Sequence, residues 1–112
     1  MTVDSSLENL IVVDLPRELE GHSNELQGVV EMVLHAGDCD VIVDFTNTDI
    51  VGSLTFSRLL ELRWLLHGSR HKLVLCGVSP AARAVFSVAL LDRLFDFVED
   101  KSAALASLQG CT

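Results

Sequence analysis

The stretch VIVDFTNTDIVGSLTFSRLLELRWLL, Val41 to Leu66, changes its hydrophobic period partway along. VIVDF is a short continuous apolar run suited to a buried strand, whereas the apolar residues after Ser53 recur at helical spacing. Gly52 and Ser53 mark the junction. A serine there can serve as a plain helix cap, its Oγ accepting a backbone N–H two or three residues on, or as a chemical handle presented at the end of a strand.

The same alternation extends outward in both directions. LIVVDL, Leu10 to Leu15, is a β-branched run ended by Pro16. Leu26, Val29, Val30, Val33 and Leu34 then form the stripe of an amphipathic helix, which Ser23 can cap and Gly37 can close. Downstream, KLVLCGV is a second near-continuous apolar run, and with VIVDF it predicts interior strands covered on both faces. Ser79-Pro80 opens the next helix, with Ala82, Val85, Phe86 and Ala89 expected inward; FDFV alternates as a strand, and Ser102 is expected to open a last short helix through Leu105 and Leu108. The order β-α-β-α-β-α-β-α predicts a single α/β domain: a small, mainly parallel or mixed β-sheet, right-handed crossovers and about four helices. Residues 1–9 are expected to be a short N-terminal segment and 10–112 the domain. In such sheets the functional crevice lies beyond the carboxyl ends of the strands, where Ser53 and Ser79 both fall.

Composition narrows the partners. The chain has 112 residues, enough for one domain with its own core, and a net charge of −8 from 16 acids against 8 Lys and Arg. Such a balance disfavours phosphate backbones and anionic lipid, and no apolar run approaches the roughly 20 residues that span a bilayer. The N-terminal MTVDSSLENL has neither a basic start nor an apolar core, so a cytoplasmic location is expected, with no membrane insertion and no nucleic-acid binding. Cys39, Cys76 and Cys111 are odd in number and widely spaced, which predicts thiols; Cys76, inside KLVLC, is expected to be a small core residue.

Constellations for catalysis or metal binding are weak. His67 and His71 are four apart, but Gly68 and Ser69 interrupt the helix between them, and His22 and His35 lie at opposite ends of the first helix. Asp44, Asp49 and Ser53 with one histidine are the nearest approach to a hydrolase site, yet no G-x-S-x-G elbow, glycine-rich oxyanion loop or G-x-x-x-x-G-K-[ST] occurs. Neither an enzyme nor a cofactor or metal site is expected.

The helix after Ser53 is apolar on too many sides. At 100° per residue Phe56, Leu59, Leu60, Arg63, Leu66 and His67 share one sector, expected to face the sheet with Arg63 reaching out from its edge. Leu54 and Leu65 then point away, beside Arg58 and Glu61, with Leu62 and Trp64 on the flanks. Leu54, Leu62, Trp64 and Leu65 are therefore expected to form an exposed apolar patch for partner binding, starting beside Ser53.

The succession VIVDFTNTDIVGS, a helix, then KLVLCGVSPAARAVFSVALLDRLFDFVED resembles the STAS family, which includes the bacterial anti-sigma factor antagonists. The resemblance spans roughly residues 10 to 109 and is most specific in VLCGVSP, the following helix and LLDRLF. It implies a non-enzymatic regulatory module, with Ser53 on the serine that many antagonists have phosphorylated by a kinase-type anti-sigma factor; with the outer face read from the helix's own periodicity, the expected partner-binding surface is Ser53, Leu54, Arg58, Glu61, Leu62, Trp64 and Leu65. Members regulated this way usually carry an Asp-Ser-Ser-Gly type sequence, whereas this chain has Gly52-Ser53-Leu54-Thr55; the family's opening also usually carries an additional strand before the one at Leu10. The alternative implied is a non-phosphorylated STAS subunit docking on a transporter ATPase or other signalling assembly. Self-association is compatible with either.

Overall fold

A computed structural model describes residues 2–4, 10–15, 28, 30–34, 39–46, 53–68 and 70–109. Five strands, β1 (Thr2–Asp4), β2 (Leu10–Asp14), β3 (Asp40–Asp44), β4 (Leu73–Cys76) and β5 (Asp96–Val98), form one sheet in the order β1-β2-β3-β4-β5. β2 to β5 are parallel, and β1 adds an antiparallel edge that pairs Val3 with Val13. The short segment ahead of Leu10 thus contributes a strand that the hydrophobic pattern alone did not indicate. Helix α1 includes residues 30–34; α2 (Ser53–Gly68) and α3 (Pro80–Val88) link successive parallel strands, and α4 (Lys101–Gln109) follows β5.

The central strands are covered on both faces, and the period of two decides which side chain goes where. Ile11 and Val13 of β2, Val41 and Val43 of β3, and Leu73 and Leu75 of β4 pack with Val30, Val33, Leu59, Leu62, Leu66, Ala82 and Phe86 of the three crossover helices. The intervening Val12, Ile42, Val74 and Cys76 pack on the other face beneath Ala104 of α4, with Leu105 and Leu108 half-buried. Cys39 and Cys76 are both buried; Cys111 lies outside the described residues.

All five phenylalanines converge at one point. Phe86 of α3 meets Phe45, Phe56, Phe95 and Phe97 edge to face, with ring centroids 4.8 to 6.3 Å apart. Each such pair adds roughly 0.5–1.5 kcal/mol beyond area burial. Phe86 thereby ties α2 and β5 to the loop after β3.

Several helix details differ from the sequence expectation. Val30 and Val33 of α1 are buried as the stripe requires, but Leu34 is exposed; Ser23, Leu26, Val29 and Gly37 lie outside the described residues. α3 buries Ala82 and Phe86, while Val85 and Ala89 are exposed, because a helix of nine residues lays only one i, i+4 line on the sheet. Asp100, and not Ser102, caps α4: Ala103 N–H donates to Asp100 Oδ1 at 2.8 Å. Aspartate caps as well as serine, and this one stands immediately ahead of the helix.

The phase of α2 is the largest correction. Its buried line is Thr55, Leu59, Leu62 and Leu66, with Phe56 and Leu65 half-buried against the same core. Leu62 is therefore core and not part of an outer patch, whereas Leu60 and His67, expected inward, are exposed. Trp64, diametrically opposite the buried line, is 75% exposed. Apolar residues nearly encircle this helix, so several phases satisfy its periodicity equally, and only the shape of the sheet surface selects one.

Candidate functional site

The carboxyl ends of β2, β3, β4 and β5 lie in register: Asp14 pairs with Asp44, Asp44 with Cys76, and Cys76 with Val98. Side chains in one row of a parallel sheet share a face, here the face under α4. Lys101, the first residue of α4, reaches over the row and sets Nζ 2.7 Å from Asp14 Oδ1 and 3.7 Å from Asp44 Oδ2. Asp44 Oδ1 also accepts from Thr46 N–H at 2.8 Å and from the Thr46 hydroxyl.

The electrostatics of the row follow from these contacts. Burial pushes Asp44 up, but the hydroxyl and N–H of Thr46 and the charge of Lys101 outweigh it, so its carboxyl stays below the ordinary carboxylate value. Lys101 is held above the ordinary lysine value, chiefly by its hydrogen bond to Asp14. The Cys76 thiol beneath is pushed up to about 12 by burial and by the Asp44 charge, which makes it a poor nucleophile at neutral pH.

Gly77 follows this row because the turn leaves no room for a side chain. Its φ is +67°, and a Cβ would lie 3.0 Å from Asp44 Oδ1 and from Thr46 N, and closer still to Thr46 Oγ1. Its N–H donates to Glu99 O at 3.1 Å, extending the ladder beyond the strands and fixing the entry to α3. At that entry Ser79 acts as the expected cap, accepting from Ala82 N–H at 3.2 Å, with Pro80 in the first turn.

Ser53 is the first residue of α2, at the same end of the sheet. The side chains of Ser53 and Leu54, and residues 47–52 that lead to them, lie outside the described residues. Of the other residues singled out for partner binding, Arg58 and Glu61 form an ion pair on α2, Leu65 is half-buried, Trp64 is exposed and Leu62 is buried. Arg63 reaches out as expected, its Nε donating to Leu94 O at 2.6 Å.

Among the described residues the hydrolase constellation does not assemble. Asp44 faces α4 and is occupied by Thr46 and Lys101, and Asp49 lies outside the described residues. His67 stands at the far end of α2 from Ser53, and His71 Nδ1 lies 3.3 Å from Asp40 Oδ1 at the amino edge of the sheet; His22 and His35 lie outside the described residues. Among the described residues no group of three or more His, Cys, Asp or Glu is placed to hold a metal ion, and no helix is long and apolar enough to cross a membrane.

The Asp14–Asp44–Lys101 cluster was not foreseen from the sequence. Its one local signal is that LIVVD and VIVD both end in aspartate, which the parallel register places side by side.

Comparison with known proteins agrees with this architecture. The chain superposes on the unphosphorylated anti-sigma factor antagonist SpoIIAA with a TM-score of 0.83 at 18% identity, covering 99% of this chain and 97% of that one. A serine-to-glutamate variant of RsbS from Moorella thermoacetica gives 0.83 at 16% identity, covering 97% and 94%. A component of the stressosome, described as a signal integration and transduction hub, gives 0.77 at 19% identity, covering 97% and 96%. Among curated proteins no sequence matches. The sequence profile of the STAS domain matches residues 5–104, nearly the whole chain, and the protein therefore belongs to the STAS domain family.

Proposed function

We propose that this protein is a regulatory protein-binding module of the anti-sigma factor antagonist type, switched by phosphorylation of Ser53 and recognised by a kinase-type anti-sigma factor. The observation that carries the reading is the position of Ser53 as the first residue of α2, following β3 at the carboxyl edge of a STAS sheet. One of the similar folds is Bacillus SpoIIAA in its phosphorylated form, with a TM-score of 0.67 at 18% identity.

A helix start suits such a switch physically. Its free N–H groups and the positive end of the helix dipole accommodate an anion, so the fold survives a phosphate of about −1.5 to −2 charges. The cost falls on association, because the dianion must be desolvated against any partner that covers the helix start. Arg58, Glu61, Trp64 and Leu65 extend the proposed contact along α2; Leu54 belongs to it by position, and Leu62 does not.

Incubation with ATP and kinase-type anti-sigma factors, followed by intact-mass measurement, tests the switch: one added phosphate, lost in Ser53→Ala, supports it. No phosphate on Ser53 with retained partner binding supports the second reading, a constitutive STAS subunit docked on a transporter ATPase or other signalling assembly. The sequence Gly52-Ser53-Leu54-Thr55 favours that second reading, since the acid, second serine and glycine of the usual site are missing.

A further inference from the structure

Among the described residues, the one buried side-chain nitrogen or oxygen without a hydrogen-bond partner is Arg58 Nε. The guanidinium is engaged elsewhere, where Nη1 donates to Glu61 Oε1 at 2.5 Å. A buried N–H left unpaired on a charged group is costly, and an arginine that uses one side of its fork is incompletely satisfied. Arg58 thus holds Glu61 and still lacks an acceptor for Nε.

Position supplies a candidate acceptor. Arg58 lies five residues into α2 after Ser53. An ideal helix separates Cα atoms five apart by about 9 Å, and its Cα–Cβ bonds tilt toward the N-terminus, so the stem of Arg58 starts toward Ser53. That span is within the combined reach of a phosphoserine and an extended arginine. A phosphate offers three acceptor oxygens and up to about two negative charges, against one on a carboxylate, and takes a guanidinium bidentately.

The other end of the ion pair decides what an exchange of partners does. Glu61 is exposed, and Trp64, three residues on along the same face, is 75% exposed. Trp64 lies about 16 Å along the axis from Ser53, twice the screening length of roughly 8 Å at 0.15 M salt. Through space alone, a phosphate at the helix start acts only weakly on a contact at Trp64. A Glu61 stripped of Arg58 sets an unpaired negative charge beside it.

We infer that Arg58 reads the phosphate, an inference that rests on Ser53 being the switch. In the unphosphorylated protein Arg58 neutralises Glu61 and leaves the surface at Trp64 fit for an apolar contact. With phosphate on Ser53 the guanidinium turns to it, Nε gains its acceptor, and Glu61 stands unpaired beside Trp64. The modification is thereby carried about two turns along α2 without moving the helix.

Phosphoserine installed in place of Ser53 during synthesis tests this without any kinase. Two readouts are independent: the second pKa of the phosphate, followed by phosphorus NMR, and iodide quenching of the fluorescence of Trp64, the one tryptophan of the chain. The phosphate is expected to titrate roughly half a unit lower with Arg58 than in Arg58→Met, because the guanidinium favours the dianion. Iodide, an anion, is expected to quench Trp64 roughly half as strongly once phosphoserine is present, whereas neutral acrylamide quenches equally. In Arg58→Met iodide quenching should be low with or without phosphate, and in Glu61→Gln it should stay high in both. Acrylamide quenching and the melting temperature report any variant that misfolds, and Glu61→Gln tests the exchange even where Arg58→Met fails to fold. A phosphate pKa indifferent to Arg58→Met, iodide quenching unchanged by phosphoserine, or a fall that persists in Glu61→Gln would overturn the role of Arg58. No phosphorylation of Ser53 by kinase-type partners, with both readouts as expected, would count instead against Ser53 as the switch.

Discussion

Lys101 Nζ lies 2.7 Å from Asp14 Oδ1 although 87 residues separate them in sequence. This contact anchors the first turn of α4 to the end of β2, and the same ammonium lies 3.7 Å from Asp44 Oδ2. Two carboxylates side by side in register repel, and Lys101 offsets that repulsion while keeping α4 over Ile42, Val74 and Cys76.

Lys101→Met is expected to cost about 0.5–1 kcal/mol in urea denaturation at neutral pH, the range for a partly exposed ion pair. The pH dependence has two limbs. Asp44 is depressed in the folded state, so its contribution is present above its ordinary value of 3.8 and is lost as pH falls through the folded value. Lys101 is raised, so its contribution is present below 10.5 and is lost as pH rises through the folded value. Asp44→Asn should flatten the acid limb, and Lys101→Met the alkaline one; unchanged limbs in stability-versus-pH curves would remove the clamp from this account.

Gly77→Ala is expected to destabilise by about 2 kcal/mol, combining a left-handed alanine with a Cβ driven against Thr46 and Asp44. Thermal melts of Gly77→Ala and of Gly77→Ala/Thr46→Ala check the cause. The double variant should recover part of the loss, since it removes the Oγ1 that a Cβ would meet first.

The two faces of α2 should respond oppositely to truncation. Leu62→Ala is expected to cost about 2–5 kcal/mol, as for a fully buried leucine. Trp64→Ala should stay within about 0.5 kcal/mol, because the side chain faces solvent. Equal costs would mean that the helix sits in another phase.

Phe86→Ala is expected to cost about 3–5 kcal/mol, the largest single loss among these variants, because four aromatic contacts disappear together with a buried side chain. Phe56→Ala, which removes one ring contact at a half-buried position, should cost clearly less. Chemical denaturation of both variants measures the difference.

Ser53→Asp should leave the melting temperature almost unchanged, since an acid in a first turn complements the helix dipole, while weakening binding to a kinase-type partner. Ser53→Ala should cost no more than about 1 kcal/mol and leave binding intact or stronger. Equal binding by both variants and the wild type, measured by titration calorimetry, would remove the switch and leave only a helix-start serine.

Much of the architecture was legible because it is written in local pattern. The change from a continuous apolar run to helical spacing around Ser53, the β-branched runs LIVVD and VIVD, and the Ser79-Pro80 cap each depend on neighbours a few positions apart, so the α/β order and the place of Ser53 at a helix start followed from them. The remainder was decided in three dimensions. α2 is apolar nearly all round, so its own periodicity left the phase open until the sheet took Leu59, Leu62 and Leu66 and left Trp64 outside. The clamp of Lys101 on Asp14 and Asp44 and the convergence of four rings on Phe86 join residues distant in the chain, and such pairings leave no local periodic trace. They arise because parallel register sets strand ends side by side and because packed helices bring far segments into contact.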